Sequence, residues 1–264
     1  MSGTGQHDWD PGTYSRFRGH RLRPALDLLS RVGDLPPGDV VDLGCGSGAA
    51  AEALRAGAAR DRQLIGVDLS PAMMREAEAL GLYDRLTDCD IAEWRPQAAP
   101  ALIFSNAALH WVAGHDALLT RLAQALTPGG TLAVQVPHQN NAPSHRLWRT
   151  LADELCGGCL KGLHLPEVLL PAQYFHLLET LGEVNLWETE YFQMLPPSEQ
   201  GHPVRRYTEA TYARPILDAL PQTERDRLIR AYDDLIDRAY PLSANGGALF
   251  PIRRLFFTLQ RGGR

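Results

Sequence analysis

Apolar residues recur at helical spacing near the start of the chain and then give way to short β-branched and aliphatic runs. Leu22, Ala25 and Leu29 share one face of a helix that we predict from Arg18 to Val32. The later apolar runs have the length and composition of buried strands. Strands are predicted at residues 40–43, 63–68, 101–106 and 131–136, and helical segments near 52–54, from 70–71 and over 118–126.

Strands that alternate with helices at these lengths predict a mostly parallel central sheet with helices on both faces. The alternation stops after about Val136, where helical patterns at 147–181 and 207–240 are interspersed with strand patterns at 184–194 and 248–259. The second helical stretch therefore predicts a cap inserted between two late strands. We expect a single domain over 1–264, with an N-terminal helical lid at 1–32, a ligand-binding core at 33–145 and a C-terminal part at 146–264 that carries a helical cap at 205–240.

Charge and hydropathy argue against several classes of binding partner. A formal charge of −5 gives no general attraction to phosphate backbones, so nucleic acid is not an expected partner. The polar N-terminus lacks the apolar stretch of a signal peptide, and no segment is long and apolar enough to span a bilayer. We therefore expect a soluble, cytoplasmic protein without a membrane partner, and the sequence leaves its oligomeric state open.

The cysteines do not predict a disulfide framework in a chain without a secretion signal. Cys156 and Cys159 have the spacing of a zinc or redox pair. A structural zinc site normally needs four ligands, and no second pair follows, so we expect no metal there.

A glycine-rich turn follows the first predicted strand. Gly44, Gly46 and Gly48 stand between that strand and an alanine-rich segment, and they would let a ligand lie against bare backbone amides. Ligands of parallel sheets collect at the carboxyl ends of the strands. The polar residues expected at those ends are Asp42, Asp68, Asp90 and Asn106.

The spacing of the glycines separates two classes of cofactor. A dinucleotide fingerprint has the spacing G-x-G-x-x-G, because a pyrophosphate contacts the helix amides. Here the spacing is G-x-G-x-G, with Asp42 two residues ahead of it. An acidic residue is poorly suited to a pyrophosphate and well suited to an ammonium and a sulfonium group. This disfavours a nicotinamide-dependent oxidoreductase, which stays one alternative.

These motifs resemble the class I S-adenosylmethionine-dependent methyltransferases, which implies a Rossmann-like class I methyltransferase fold and S-adenosyl-L-methionine as cofactor. By this resemblance Asp68 binds the ribose hydroxyls, Asp90 and Ile91 hold the adenine, and Asn106 faces the methionine part. The glycine loop, Asp42, Leu69 and Met73 complete the implied cofactor site. The resemblance also implies that the N-terminal segment, with Trp9, Tyr14 and Arg18, forms a lid over the cofactor.

A narrower resemblance covers nearly the whole chain. The stretches 7–11, 105–112, 133–137 and 143–145, and Tyr240–Pro241, are similar to the trans-aconitate 2-methyltransferase family. That resemblance implies a methyl ester formed on a small polycarboxylate. Arg214 and Arg254 are then expected to bind its remaining carboxylates, with Tyr191 and Tyr207 as hydroxyl donors and His110 and Trp111 as pocket wall.

Some residues and alternatives stay outside this assignment. Arg205, Arg206 and Arg253 are expected on the solvated surface. The segment Thr211–Ala213 departs from the family pattern ahead of Arg214, which leaves the acceptor open. A methyltransferase for a hydroxyl or amine would need a base such as His110 or His145. A protein that holds the cofactor without catalysis, or uses the cap as a regulatory interface, is the remaining alternative.

Overall fold

The computed structural model describes residues 18–158, 160–163, 165–166 and 168–262, with side chains described from residue 22 onward. Trp9, Tyr14 and Cys159 lie outside the described residues, and only the backbone of Arg18 is described. The predicted lid therefore stays a prediction.

Seven strands form one sheet in the order β3-β2-β1-β4-β5-β7-β6. Their bounds are β1 Val40–Leu43, β2 Leu64–Asp68, β3 Arg85–Asp88, β4 Leu102–Asn106, β5 Thr131–Pro137, β6 Gly182–Leu195 and β7 Ala248–Arg261. β1 to β5 pair in parallel. Arg261, at the end of β7, exchanges backbone hydrogen bonds with Gly129 and Gly130 just before β5, so β7 runs antiparallel to β5. The predicted mostly parallel sheet is confirmed.

Nine α-helices are described in the resolved ranges. They are α1 Arg18–Leu29, α2 Ala51–Ala56, α3 Pro71–Ala79, α4 His115–Ala125, α5 Pro143–Cys156, α6 Pro171–Leu178, α7 Pro203–Glu209, α8 Arg214–Asp218 and α9 Gln222–Ala239. α3 begins as its sequence predicts, because the Ser70 hydroxyl accepts the amide of Met73 and Pro71 occupies the first turn. None of the helices in these ranges combines the length and apolar character needed to cross a bilayer.

The chain divides into two compact units. Unit 1 comprises the described parts of Met1–Val136, Leu169–Glu188 and Leu255–Arg264, and unit 2 comprises those of Pro137–Val168 and Thr189–Arg254. In unit 1 the inner strands β1, β2 and β4 are almost entirely buried, as expected for a sheet covered on both faces.

Unit 2 is mainly helical. The stretch between β6 and β7 forms α7, α8 and α9, so the predicted helical insertion between two late strands is confirmed, and its role as a cap stays a prediction. α5 packs against α9, where the rings of Trp148 and Tyr232 stack at 4.0 Å, and the Trp148 indole donates to the Thr208 hydroxyl at 2.9 Å. The predicted domain bounds stay a prediction.

Two local expectations are corrected. β3 was not predicted, because its four residues, Arg85–Asp88, are mostly polar and show no alternation of buried and exposed positions. The predicted helical stretch 147–181 is interrupted, since α5 ends at Cys156 and α6 starts at Pro171. Gly157 has φ +38° and ends α5, as left-handed glycines commonly do.

Candidate active site

The loop after β1 contains three glycines. At two of them a Cβ would collide with protein atoms, and at the third it would face open space. A Cβ on Gly44 would lie 2.2 Å from the Ala108 Cβ, and one on Gly48 would lie 2.6 Å from a Leu80 methyl group. A Cβ on Gly46 would meet nothing within 4 Å. Packing against protein atoms thus accounts for a glycine at position 44, and contributes at position 48, whereas Gly46 faces open space; the predicted contacts of the three glycines with a cofactor stay a prediction.

The Asp68 carboxylate closes β2 and is held by two backbone amides. Its Oδ2 accepts the amide of Gly46 at 2.8 Å, and its Oδ1 accepts the amide of Ser70 at 2.9 Å. The residue stays half-buried at the strand end. An ionised carboxylate has about four acceptor positions, so these two bonds orient it and leave capacity for two further donors.

Asp42 lies behind the loop, buried with 3% of its surface exposed. The Tyr83 hydroxyl donates to its Oδ2 at 2.7 Å. Burial raises the pKa of Asp42 to about 7; the hydrogen bond from Tyr83 opposes this and the charge of Asp68 adds to it. In the same environment, burial and the charges of Asp42 and Asp68 raise the pKa of the Cys45 thiol well above its usual value.

The predicted adenine residues follow β3. Asp90 is half-buried, and its Oδ1 accepts the amide of Ala92 at 2.8 Å, so one carboxylate oxygen shapes the turn. Ile91 is half-buried, and its methyl group lies 3.2 Å from where a Gly44 Cβ would be. Leu69 is 36% exposed and Met73 only 3%. The structure thus brings Ile91 to the glycine loop and places the Met73 side chain in the core.

Asn106 ends β4 and is followed by a strained residue. Ala107 has φ +54°, the one positive φ outside glycine among the described residues. Its amide donates to the Gln135 carbonyl at 2.9 Å, which holds the turn against β5. Asn106 pairs with Gln135 in the parallel register, and the Asn106 Oδ1 is a buried atom without a hydrogen-bond partner.

His110 and Trp111 follow on a short 3-10 turn, Leu109–Trp111. His110 is buried and Trp111 half-buried, with ring centroids 5.1 Å apart. The structure therefore brings both predicted wall residues together, a few residues beyond Asn106 in unit 1.

Arg254 and His145 lie together in unit 2. Arg254 is 8% exposed on β7, and His145 is half-buried in the first turn of α5. The His145 Nδ1 lies 3.0 Å from the Ser144 hydroxyl, and its ring lies 4.3 Å from that of Tyr212. Burial and, secondly, the charge of Arg254 lower the pKa of His145 to about 3. The imidazole is therefore neutral at physiological pH.

The other residues that are predicted to bind the methyl acceptor are less enclosed. The Arg214 side chain is 35% exposed, and its Nε lies 3.7 Å from the Asp218 carboxylate one turn along α8. Tyr191 on β6 and Tyr207 on α7 are half-buried. The Tyr207 ring packs edge-on against Phe250 at 5.3 Å.

One surface assignment is corrected. The Arg205 side chain is only 6% exposed, with Nη1 2.6 Å from the Glu209 carboxylate and Nε 3.2 Å from that of Asp233. It was expected in solvent because its partner Asp233 lies 28 residues away on α9, which no local motif shows. Arg206 and Arg253 have side chains 42% and 53% exposed, as expected.

Two residues of this region carry no assignment from the sequence. Tyr83 is bonded to Asp42, which lies 41 residues earlier in the chain, and no local sequence pattern indicates that pairing. Gln135 is fully buried on β5. A signal existed for Gln135, since a single amide stands inside the apolar strand 131–137 at the register position of Asn106.

The fold and the family model agree on the class of protein. A model of the methyltransferase domain matches residues 14–167. The YcgJ protein from Bacillus subtilis has a similar fold, with a TM-score of 0.60 at 15% identity over 93% of this chain and all of that one. Phosphoethanolamine N-methyltransferase 2 from Haemonchus contortus, solved with S-adenosylhomocysteine, gives 0.52 at 18% identity over 90% of this chain and 52% of that one. The fold and the site thus define a class I S-adenosylmethionine-dependent methyltransferase.

Sequence relatives narrow the assignment. The trans-aconitate 2-methyltransferase of Acidovorax sp. (strain JS42) is 40% identical over 262 residues, which cover 97% of this chain and 99% of that one. The enzyme of that name from Klebsiella pneumoniae (strain 342) is 38% identical over 256 residues, covering 96% of this chain and 98% of that one. The chain belongs to the trans-aconitate 2-methyltransferase family.

Proposed function

We propose that this enzyme uses S-adenosyl-L-methionine to form a monomethyl ester on trans-aconitate or a closely similar small polycarboxylate. The observation that carries the acceptor assignment is the full-length similarity to the trans-aconitate 2-methyltransferases. The buried Arg254 in unit 2 supports it, because arginine is the side chain best suited to bind a carboxylate.

The residues of unit 1 fit the proposed cofactor. Asp68 offers acceptor capacity beyond its two backbone bonds, which suits a pair of ribose hydroxyls. Gly46 presents bare backbone to open space, where a Cβ would occupy the room of a ligand. The carboxyl group of Asp42 can accept hydrogen bonds, which suits a ligand that carries an ammonium group, and the side-chain amide of Asn106 can serve as donor or acceptor at the neighbouring strand end.

Each residue has a separate task in the proposed reaction. When bound, S-adenosyl-L-methionine would supply a sulfonium methyl group, to which a carboxylate oxygen of the acceptor bonds in line while the carbon–sulfur bond breaks and S-adenosylhomocysteine leaves. Asp68 fixes the sugar, and the polar strand ends fix the amino-acid end. His110 and Trp111 exclude water, which favours a step in which opposite charges are neutralised. Correct alignment of the two reactants accounts for most of the rate enhancement.

Arg254 is proposed to bind a carboxylate of the acceptor that is not methylated. Tyr191 and Tyr207 are proposed as hydroxyl donors to the same molecule, and Arg214 as a second cation. Arg254 is the strongest candidate because its side chain is enclosed, whereas Arg214 is partly exposed beside Asp218. An enclosed cation binds an anion more strongly, since solvent screens the pair less.

No general base is required in this proposal. A carboxylate with a solution pKa of about 4 is already ionised at neutral pH. His145, one of the two histidines named as an alternative base, has a pKa lowered to about 3 by burial and by Arg254, so it is a weak proton acceptor. This disfavours His145 as the base that a hydroxyl or amine acceptor would need.

A screen of acceptors tests the proposal directly. Purified enzyme is incubated with labelled cofactor and with trans-aconitate, cis-aconitate, citrate, tricarballylate and a panel of phenols and amines, and the products are analysed by mass spectrometry. We expect a mono-ester of trans-aconitate or of a close analogue. Turnover of only a phenol or an amine would overturn the acceptor assignment, and lack of S-adenosylhomocysteine binding in calorimetry would overturn the cofactor assignment.

A further inference from the structure

Gln135 is a polar side chain enclosed in the sheet of unit 1. It lies on β5 with 0% of its surface exposed, and neither its Oε1 nor its Nε2 has a hydrogen-bond partner. An amide buried without partners is strongly unfavourable, and nearly all buried polar groups in folded proteins are paired. The position therefore indicates a pairing that forms in a functional state of the enzyme.

Asn106 supplies the complementary atom. It pairs with Gln135 in the register of β4 and β5, so the two side chains stand on the same face of the sheet, on strands about 4.8 Å apart. The Asn106 Oδ1 is also buried and without a partner. An amide donor and an amide acceptor thus stand side by side, and rotation of either side chain would join them.

The backbone around the two amides is tightly held. The Ala107 amide donates to the Gln135 carbonyl at 2.9 Å, directly after Asn106. Ala107 itself has φ +54°, a conformation that a non-glycine residue keeps only when its surroundings impose it. The turn therefore fixes the position of Asn106 relative to β5 and leaves its side-chain amide as the part that can turn.

The same face of the sheet carries an excess of acceptors. The register places Asp42, Asp68 and Asn106 at the carboxyl ends of neighbouring strands, with their side chains on one face. An ionised carboxylate only accepts hydrogen bonds, so Asp68 suits hydroxyl groups, and the carbonyl oxygen of Asp42 accepts hydrogen bonds in either protonation state. The amino-acid end of the proposed cofactor also carries a carboxylate, and that group needs a donor, which the Asn106 NH₂ group can provide.

We propose that Gln135 is a positioning residue of the methyl-donor site: its Nε2–H donates to the Asn106 Oδ1 and thereby turns the Asn106 NH₂ group toward the carboxylate of the methyl donor. This rests on the proposed function, because it requires S-adenosyl-L-methionine as the ligand of this face. It assigns to β5 a part in cofactor recognition, although Gln135 itself does not touch the cofactor.

The test compares two ligands by calorimetry on the Gln135→Met variant. S-adenosylhomocysteine carries the carboxylate, whereas 5′-methylthioadenosine lacks the whole amino-acid end. We expect S-adenosylhomocysteine to bind about tenfold more weakly, as for one lost hydrogen bond to a charged group, and 5′-methylthioadenosine to bind unchanged. The melting temperature without ligand should stay the same or rise, because methionine fills the space without an unpaired amide.

Two further variants separate positioning from general damage. If Gln135 acts through Asn106, then Gln135→Met has no further effect on S-adenosylhomocysteine binding in an Asn106→Ala background. Ser105→Ala is the matched control, because Ser105 precedes Asn106 on β4 and its buried hydroxyl donates to the Leu43 carbonyl of β1 at 2.7 Å. It should lower the melting temperature and leave the ratio of the two ligand affinities unchanged.

The outcomes are distinct. Equal weakening of both ligands by Gln135→Met, or additive effects of Gln135→Met and Asn106→Ala, would overturn the inference. Failure of the unmodified enzyme to bind S-adenosylhomocysteine would instead overturn the proposed function, since the inference then has no ligand.

Discussion

The amide of Gly46 donates a hydrogen bond of 2.8 Å to the Asp68 Oδ2 and so ties the loop after β1 to the end of β2. These are the glycine with an open face and the acid with spare acceptor capacity. The two features that best fit a bound nucleoside are therefore linked directly. A change at either residue should affect ligand binding more than the fold.

Asp68→Asn should weaken binding of S-adenosylhomocysteine by roughly 100-fold or more. The amide removes the charge and places a donor where the carboxylate now accepts backbone or ribose hydrogens, and each bond to a charged acceptor contributes about 1.5–3 kcal/mol. Calorimetry on the purified variant measures the loss. Asp84→Asn is the control, because Asp84 accepts the Leu64 amide at 2.7 Å at the opposite end of β2. It should reduce stability and leave the affinity unchanged; equal loss in both variants would contradict the assignment.

Alanine at Gly46 should mainly weaken cofactor binding, whereas alanine at Gly44 should mainly destabilise the fold. Gly46→Ala adds a methyl group to open space at φ +54°, so it should destabilise the fold by about 1–2 kcal/mol and strongly weaken cofactor binding. Gly44→Ala drives a methyl group into Ala108 at 2.2 Å, so it should destabilise by about 2–4 kcal/mol. Denaturant unfolding and calorimetry on both variants check this. Unchanged cofactor affinity in Gly46→Ala would place the ligand elsewhere.

Asp42 predicts an unusual dependence of stability on pH. Its pKa is raised to about 7 in the folded protein, chiefly by burial, while an unfolded aspartate titrates near 3.9. Between about pH 4 and 7 the folded state keeps a proton that the unfolded state has lost, so this group makes stability fall as pH rises through that window. Urea unfolding at a series of pH values from 4.5 to 8 measures the free energy of unfolding. Its change with pH should have a different slope in the unmodified protein than in Asp42→Asn. Parallel curves would mean that Asp42 is ionised in the folded state throughout.

Much of unit 1 could be predicted because its signals are local. β1, β2 and β4 are short apolar runs, and Ser70 with Pro71 marks the start of α3. β3 was missed because Arg85–Asp88 is mostly polar and is defined by its pairing with β2. The burial of Arg205 depends on its contact with Asp233 of another helix, which no period along the chain reveals.

The candidate site shows the same division. The strand-end positions of Asp42, Asp68 and Asn106 follow from the alternation of strands and helices, so the sequence could place them. The reason for each glycine could not be read from spacing, since Gly44 is required by Ala108, a residue of a distant loop. The partners of buried polar groups, such as Tyr83 for Asp42, likewise appear only once the strands are assembled.

Arg254 and its neighbour Arg253 allow a matched test of the acceptor site. Arg254 is 8% exposed, whereas the Arg253 side chain is 53% exposed and lies 3.6 Å from Glu190. Arg254→Met should raise the KM for the polycarboxylate roughly 100-fold, the effect of losing a bidentate bond to a carboxylate, with cofactor affinity unchanged. Arg254→Lys should recover part of this loss. Arg253→Met should change neither the KM for the polycarboxylate nor the cofactor affinity. An equal rise of KM in the Arg254 and Arg253 variants would contradict the assignment of Arg254 to the acceptor site.

The dependence of kcat on pH distinguishes a carboxylate acceptor from one that needs a base. At saturating cofactor and acceptor, kcat should be constant from about pH 6 to 8.5, because the acceptor is already ionised. His145 does not titrate in this range, since burial and Arg254 hold its pKa near 3. His145→Asn should therefore leave the shape of the profile unchanged. The contrary result is a loss of kcat on acidification that is centred near the usual pKa of a histidine and is absent from the profile of a His110 or His145 variant. It would mean that the enzyme removes a proton from its acceptor. The acceptor would then be a hydroxyl or an amine and not a polycarboxylate.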